Sequence, residues 1–179
     1  MKKILQKESL VLREISKNIP LDSIKSPKIQ KIIKEMQVAL ASQDDGVAIA
    51  ASQIGYPLRI FVVSKRVEDI MKKEKKQVET SEKPKDLIFI NPILKKVSKE
   101  KKVVEEGCLS VRYLYGRVSR GNKATVSAWD ENGKKFERGG TGLLAQIFQH
   151  EMDHLDGILF IDKAKYVEEI LPEKINAKK

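Results

Sequence analysis

The chain contains two histidines, and they stand four residues apart in His150-Glu151-Met152-Asp153-His154. On a helix this spacing puts both imidazoles on one face about one turn apart, close enough to share an ion. Glu151, directly after the first, is placed to accept a proton from water and return it later. The pattern points to metal-dependent hydrolysis. Two histidines that merely share a helix face are the bland alternative, and the glutamate between them weighs against it.

Two helical ligands leave coordination positions open, so a third N, S or O donor is expected. Three sources are available. A histidine six residues beyond His154 would complete one peptidase pattern, and Gly157 fits that pattern's glycine, but Phe160 stands at the histidine position. A downstream glutamate would make a gluzincin-like peptidase, with Glu168, Glu169 and Glu173 as candidates in a charged tail. The last is Cys108, the only thiol, in Glu106-Gly107-Cys108-Leu109-Ser110.

These residues need elements to position them. Residues 26–42 (SPKIQKIIKEMQVALAS) place Ile29, Ile32, Ile33, Met36, Ala39 and Leu40 at helical spacing, with Ser26 as cap and Pro27 at the first helical position. Residues 58–64 (LRIFVVS) and 87–91 (LIFIN) read as strands of one sheet. The Lys-rich stretch 65–86 between them reads as a charged, mobile surface insertion, partly helical near Val67 to Lys72. Residues 93–104 alternate loosely, and 124–130 with 134–138 flank the hairpin turn Glu131-Asn132-Gly133. Gly139 to Gly142 then punctuate the chain before a strongly helical run, 143–155. The expectation is an α+β fold: a single domain over 1–179, with antiparallel strands around a central metal-binding helix and a flexible basic C-terminal tail.

Composition sets further bounds. Lys and Arg total 35 against 25 Asp and Glu, a formal charge of +10. That suggests a ribosome or rRNA contact, although a lysine-rich solvated surface is the simpler account. No aromatic residues interleave with the lysines, which argues against base-specific binding. No window reaches the roughly 18 apolar residues of a membrane span, and residues 1–10 lack a signal's apolar stretch, so a cytoplasmic protein with no membrane partner is expected. A single cysteine excludes an intrachain disulfide.

Three segments together sharpen the picture. Residues 106–110 (EGCLS) and 149–157 (QHEMDHLDG), with 46–53 (GVAIAASQ) before them, resemble the three motifs of the peptide deformylases, in that family's order. The resemblance runs from about Leu12 to Ala164. It implies an ion, Fe2+ natively and often Zn2+, Ni2+ or Co2+ in preparations, held by Cys108, His150 and His154. It also implies removal of the formyl group from N-formylmethionyl nascent peptides, with Glu151 moving protons and the Gln53 amide and Leu109 N–H stabilising the oxyanion. Gly46, Val47, Ala48, Val104, Gly107, Leu143, Gln146 and Ile147 would line the substrate cleft. Ala48 replaces a family glycine, Gln146 an apolar residue and Tyr115 a frequent arginine, and Val111-Arg112 lacks the proline that usually follows. Arg120 matches a family basic position. A relative that keeps the ion but binds RNA without hydrolysis is the non-enzymatic alternative.

Overall fold

The computed structural model describes residues 2–75 and 85–171. Its strands all pair antiparallel and form two sheets. The first has five strands in the order β1 (Ala48–Ala50), β2 (Ile60–Val63), β3 (Leu87–Val97), β6 (Lys123–Trp129) and β7 (Lys135–Thr141). The second has three, β4 (Lys101–Cys108), β5 (Val111–Gly121) and β8 (Val167–Glu169). Helices α1 (Pro27–Ala41), α2 (Arg66–Lys75), α3 (Leu143–Leu155) and the single turn α4 (Phe160–Lys163) complete it. The architecture is α+β, and no described helix is long and apolar enough to cross a membrane.

The five-stranded sheet is buried on both faces, which is why β2 reads as the unbroken apolar run IFVV. Ile60 and Val62 face α1, packing with Ile29, Ile32, Ile33 and Met36. Phe61 and Val63 face the other way, onto Ala145, Ile147, Phe148 and Met152 of α3. There Phe61 stacks on Phe89 at 4.4 Å between ring centroids, and Phe148 meets Phe89 edge-on at 5.3 Å. Helix α3 is thus clamped against the sheet by aromatic packing, and the face that carries the histidines is held in one orientation.

Helix α1 follows its pattern closely: the six apolar positions are its buried residues, and Ser26 accepts from the Ile29 N–H. The 131–133 turn joins β6 to β7, with Trp129 opposite Lys135. Elsewhere the structure corrects the expected boundaries. The strand at 87–91 continues to Val97, passing Asn91 at φ 47° and a register shift between Ile90 and Ile93. Strand β7 runs through Gly139 and Gly140, and the break falls at Gly142, at φ 55°. Of the expected insertion, the first part is helical, as expected near Val67 to Lys72, and it docks on the core through buried Val67 and partly buried Met71. Residues 76–84 and 172–179, including the expected flexible tail, lie outside the described residues. Glu168 and Glu169 belong to β8, pairing with Tyr115 and Leu114.

The exit from α3 depends on Gly157. Its φ is +74°, and a Cβ there would sit 2.5 Å from the Arg13 carbonyl oxygen, so the N-terminal segment passes against bare backbone.

Phe148 is fully buried between sheet and helix. Phe148→Ala is expected to lower unfolding free energy by ~3–5 kcal/mol, the usual cost of emptying such a site. Urea denaturation measures it, and a loss below about 1 kcal/mol would contradict this account of the core.

Candidate metal centre and cleft

Three segments distant in sequence converge beside α3. Cys108 ends β4, with Leu109 and Ser110 turning the chain into β5. Gln53 lies on the helical turn Ala51–Ile54 that follows β1, and α3 brings His150, Glu151 and His154. The ligand atoms of Cys108, His150 and His154 lie within 4.8 Å of one another, with Cys108 Sγ 3.2 Å from His154 Nε2. They are the group of three or more His, Cys, Asp or Glu among the described residues placed to hold an ion, and neither Glu168 nor Glu169 joins it.

The donor set fits a divalent transition metal: one thiolate, two imidazoles and room for a further ligand. The surrounding contacts fit as well. His150 Nδ1 bonds to Glu106 Oε2 at 2.9 Å, which leaves Nε2 for the centre. Phe160 packs its ring 6.4 Å from that of His150 and forms part of a small apolar cluster behind the site.

Glu106 is itself held by a buried guanidinium. Arg120 Nε and Nη2 donate to its two oxygens at 2.7 and 2.9 Å, while Arg120 Nη1 donates to Asp153 Oδ2 at 2.6 Å. Lys163 reaches the other Asp153 oxygen at 2.5 Å. Burial alone would raise the Glu106 pKa, but Arg120 and then His150 outweigh it and bring it down to about 2. On the same helix, Gln149 spends its amide on the backbone N–H and carbonyl of Gly121, locking α3 to β5.

Glu151 is different. Burial, with like charge from Glu106 and Asp153, pushes its carboxyl up to about 7 against the pull of His150. Its Oε2 is buried without a hydrogen-bond partner among the described residues, and the residue lines the cleft. Burial disfavours charge on both histidines; Cys108 and Glu106 nevertheless lift His150 well above 6.5, while His154 falls well below it.

Gln53 is aimed by its neighbours. Its Oε1 accepts from the Ala50 N–H at 2.8 Å, so Nε2 points to Ser110 Oγ at 3.0 Å and Cys108 Sγ at 3.5 Å. A cleft of about 290 Å³ opens in front of these groups. One wall is the free edge of β1 at Ala48 with the two residues before it, Gly46 and Val47; the other is the free edge of β4, Gly107 and Cys108, with Leu109. Leu143, Gln146 and Ile147 of α3 also line it. Val104 does not: it sits half-buried opposite Val118, one residue short of Glu105, where the lining begins. Gln146 turns its amide to the Glu105 carbonyl at 2.8 Å, and the Tyr115 ring lies where a side chain on Gly107 would be, 2.8 Å from a Cβ built there.

The family model for polypeptide deformylase matches residues 1–169. The chain belongs to the polypeptide deformylase family. Among curated deformylases, the chloroplastic peptide deformylase 1A of Solanum lycopersicum is 42% identical over 155 residues, 86% of this chain and 56% of that protein. Peptide deformylase 2 of Clostridium acetobutylicum is 38% identical over 162 residues, 90% of this chain and 94% of that protein. The chain thus spans little more than half the length of the plant deformylase and nearly all of the bacterial one. Among solved deformylases, the Met-Ala-Ser-bound class I type b enzyme from Acinetobacter baumannii superposes with a TM-score of 0.76 at 27% identity, covering 90% of this chain and 97% of that one. Deformylases are metal-dependent, and the Cys/His group is where this chain could hold its ion.

The sign of the Glu106 shift sets a pH dependence. Its pKa in the fold, about 2, lies below the ordinary 4.5, so its contribution to stability is complete above pH 4.5 and is lost as pH falls towards 2. For metal-free Glu106→Gln, the slope of unfolding free energy against pH in that window should flatten relative to the parent. Metal affinity should also fall ~10–100-fold, as is common when a ligand histidine loses its carboxylate. Unchanged affinity in a metal titration would remove Glu106 from the centre.

Proposed function

We propose that this chain hydrolyses the N-formyl group from the N-terminal formylmethionine of newly made polypeptides, releasing formate. The observation that carries the reading is the convergence of Cys108, His150 and His154 around one point, with Gln53 Nε2 directed at the thiol and Glu151 lining the cleft beside them. A divalent ion bound there, Fe2+ in our reading of the native protein, supplies Lewis acidity that brings the pKa of a water down towards neutrality.

The chain's own groups do the rest. Glu151, next to a ligand position on α3 and among the residues lining the cleft, with one oxygen free of hydrogen bonds to the described residues, takes the water proton and later delivers one to the departing amine. As the formyl carbon becomes tetrahedral, its oxygen gains charge and needs donors. The Gln53 Nε2–H, already oriented by Ala50, and the Leu109 N–H in the β4–β5 turn fill that role, each worth ~2.7–4 kcal/mol in comparable sites. The free edges of β1 and β4 offer an extended peptide backbone hydrogen bonds on both sides. Val47, Leu143 and Ile147 contribute apolar surface for the methionine side chain. Helix α3 is then the central metal-binding helix of one deformylase-like domain. A cytoplasmic location and a ribosome or rRNA contact through the lysines belong to the same proposal.

Of the alternatives, the gluzincin-like reading loses two of its candidates to β8, and Glu173 lies outside the described residues. Cys108→Ser separates it: metal binding should be lost or strongly weakened in the deformylase reading and intact in the other.

The direct test is formate release from a formyl-Met peptide by Fe2+-loaded protein kept anaerobic. Turnover is expected, with a loss of ~10²–10⁴-fold in Glu151→Gln that still binds metal. No turnover by the loaded parent protein, or full activity in Glu151→Gln, would sink the proposal.

A further inference from the structure

The two walls of the cleft belong to different sheets, so no ladder of strand hydrogen bonds fixes their separation. Side chains do it instead. On the turn that follows β1, the link is Gln53 to Ser110 and Cys108. Three residues before β1, at Asp45, a second link crosses. Arg112 of β5 donates from Nη1 to Asp45 Oδ2 at 2.6 Å and from Nη2 to Asp45 Oδ1 at 3.2 Å, and Nη2 also reaches Gln43 Oε1 at 2.6 Å. Asp45 and Arg112 both line the cleft.

The carrier of this guanidinium is itself fixed. The Arg112 N–H donates to Gln6 Oε1 at 3.4 Å, while Gln6 Nε2 donates to the Leu109 carbonyl at 3.1 Å, so the N-terminal segment pins both ends of the 109–112 turn. Arg112 also begins the irregular part of β5: the pairing jumps from Cys108 with Val111 to Gly107 with Tyr115, and Tyr113 inside the bulge takes φ 66°. A proline at 112 would supply neither the fork nor the N–H.

We propose that the Arg112–Asp45 pair is a strap that sets the spacing of the two cleft walls for an extended peptide, making Arg112 a positioning residue for substrate binding. This rests on the cleft being the peptide site. The pair is bidentate but partly exposed, so its effect is moderate and sensitive to salt.

The test uses full-length, metal-loaded protein with Arg112→Ala, Asp45→Ala and the double variant, after equal unfolding midpoints show that all are folded. Steady-state kinetics on formyl-Met-Ala-Ser and calorimetry with unreactive Met-Ala-Ser are read together. Each single variant should raise KM and the peptide Kd about two- to fivefold with kcat within about twofold, and the double should be no worse than a single, since the strap is lost once. Raising salt should weaken binding by the parent protein towards the variants' level and leave the variants unchanged. Unaltered KM and Kd in the singles, additive losses in the double, or equal salt dependence in all four would each overturn the strap. If the parent releases no formate while the Met-Ala-Ser affinities follow this pattern, the deformylase reading fails and the strap stands.

Discussion

The site depends on one buried guanidinium. Arg120 is 4% exposed, and between its two carboxylate partners it joins β4 through Glu106 to α3 through Asp153. Alone, any of these charges would be costly so far from water; together their lone pairs and protons are matched, and the cost is offset by geometry. The pair then sets the next layer. With Glu106 ionised and oriented by Arg120, its second oxygen can hold His150 by Nδ1 and settle which ring nitrogen faces Cys108. The position of His150 on α3 therefore depends on a residue of strand β5, thirty positions away in sequence.

Sheet and helix supply the rigidity that such geometry needs. Helix α3 uses one side for Phe148 and Ala145 against the five-stranded sheet and another for His150 and Glu151 at the cleft. Gln149, between them, bridges to Gly121. No part of the helix that carries the chemistry is left to be ordered by solvent contacts alone. This matches a centre whose ligands must stay within a few tenths of an ångström of their places.

Features with a local period were legible before the structure. Helix α1 announces itself by six apolar residues at helical spacing and a serine cap, the 131–133 hairpin by its turn residues, and the shared face of the two histidines by their i, i+4 spacing. Elements made by tertiary contact were not. Strand β1 is three residues, Ala-Ile-Ala, one isoleucine between two alanines and too short to show alternation. Strand β8 looks like a charged tail and exists because β5 offers an edge. The first half of the supposed insertion docks through two apolar residues among many charged ones. At the site, the thiol and histidines could be named in advance, but the Arg120 network and the Arg112–Asp45 pair could not. Ion pairs between residues 14, 33 and 67 positions apart leave no periodic trace.

The two free strand edges that flank the cleft have a consequence in time. A cleft of about 290 Å³ between a β1 edge and a β4 edge offers its strand hydrogen bonds to an extended backbone; a helix, whose backbone groups are already paired within itself, cannot take them up. Were the cleft to take a polypeptide N-terminus, as the proposed function requires, one that had already coiled or packed into its own fold would be out of reach, whatever its sequence. On the proposed function, processing by this chain is therefore a race against the folding of each client. Proteins whose first residues are buried early leave it the shortest interval, and clients with slow-folding or loosely held N-termini are those it serves most completely.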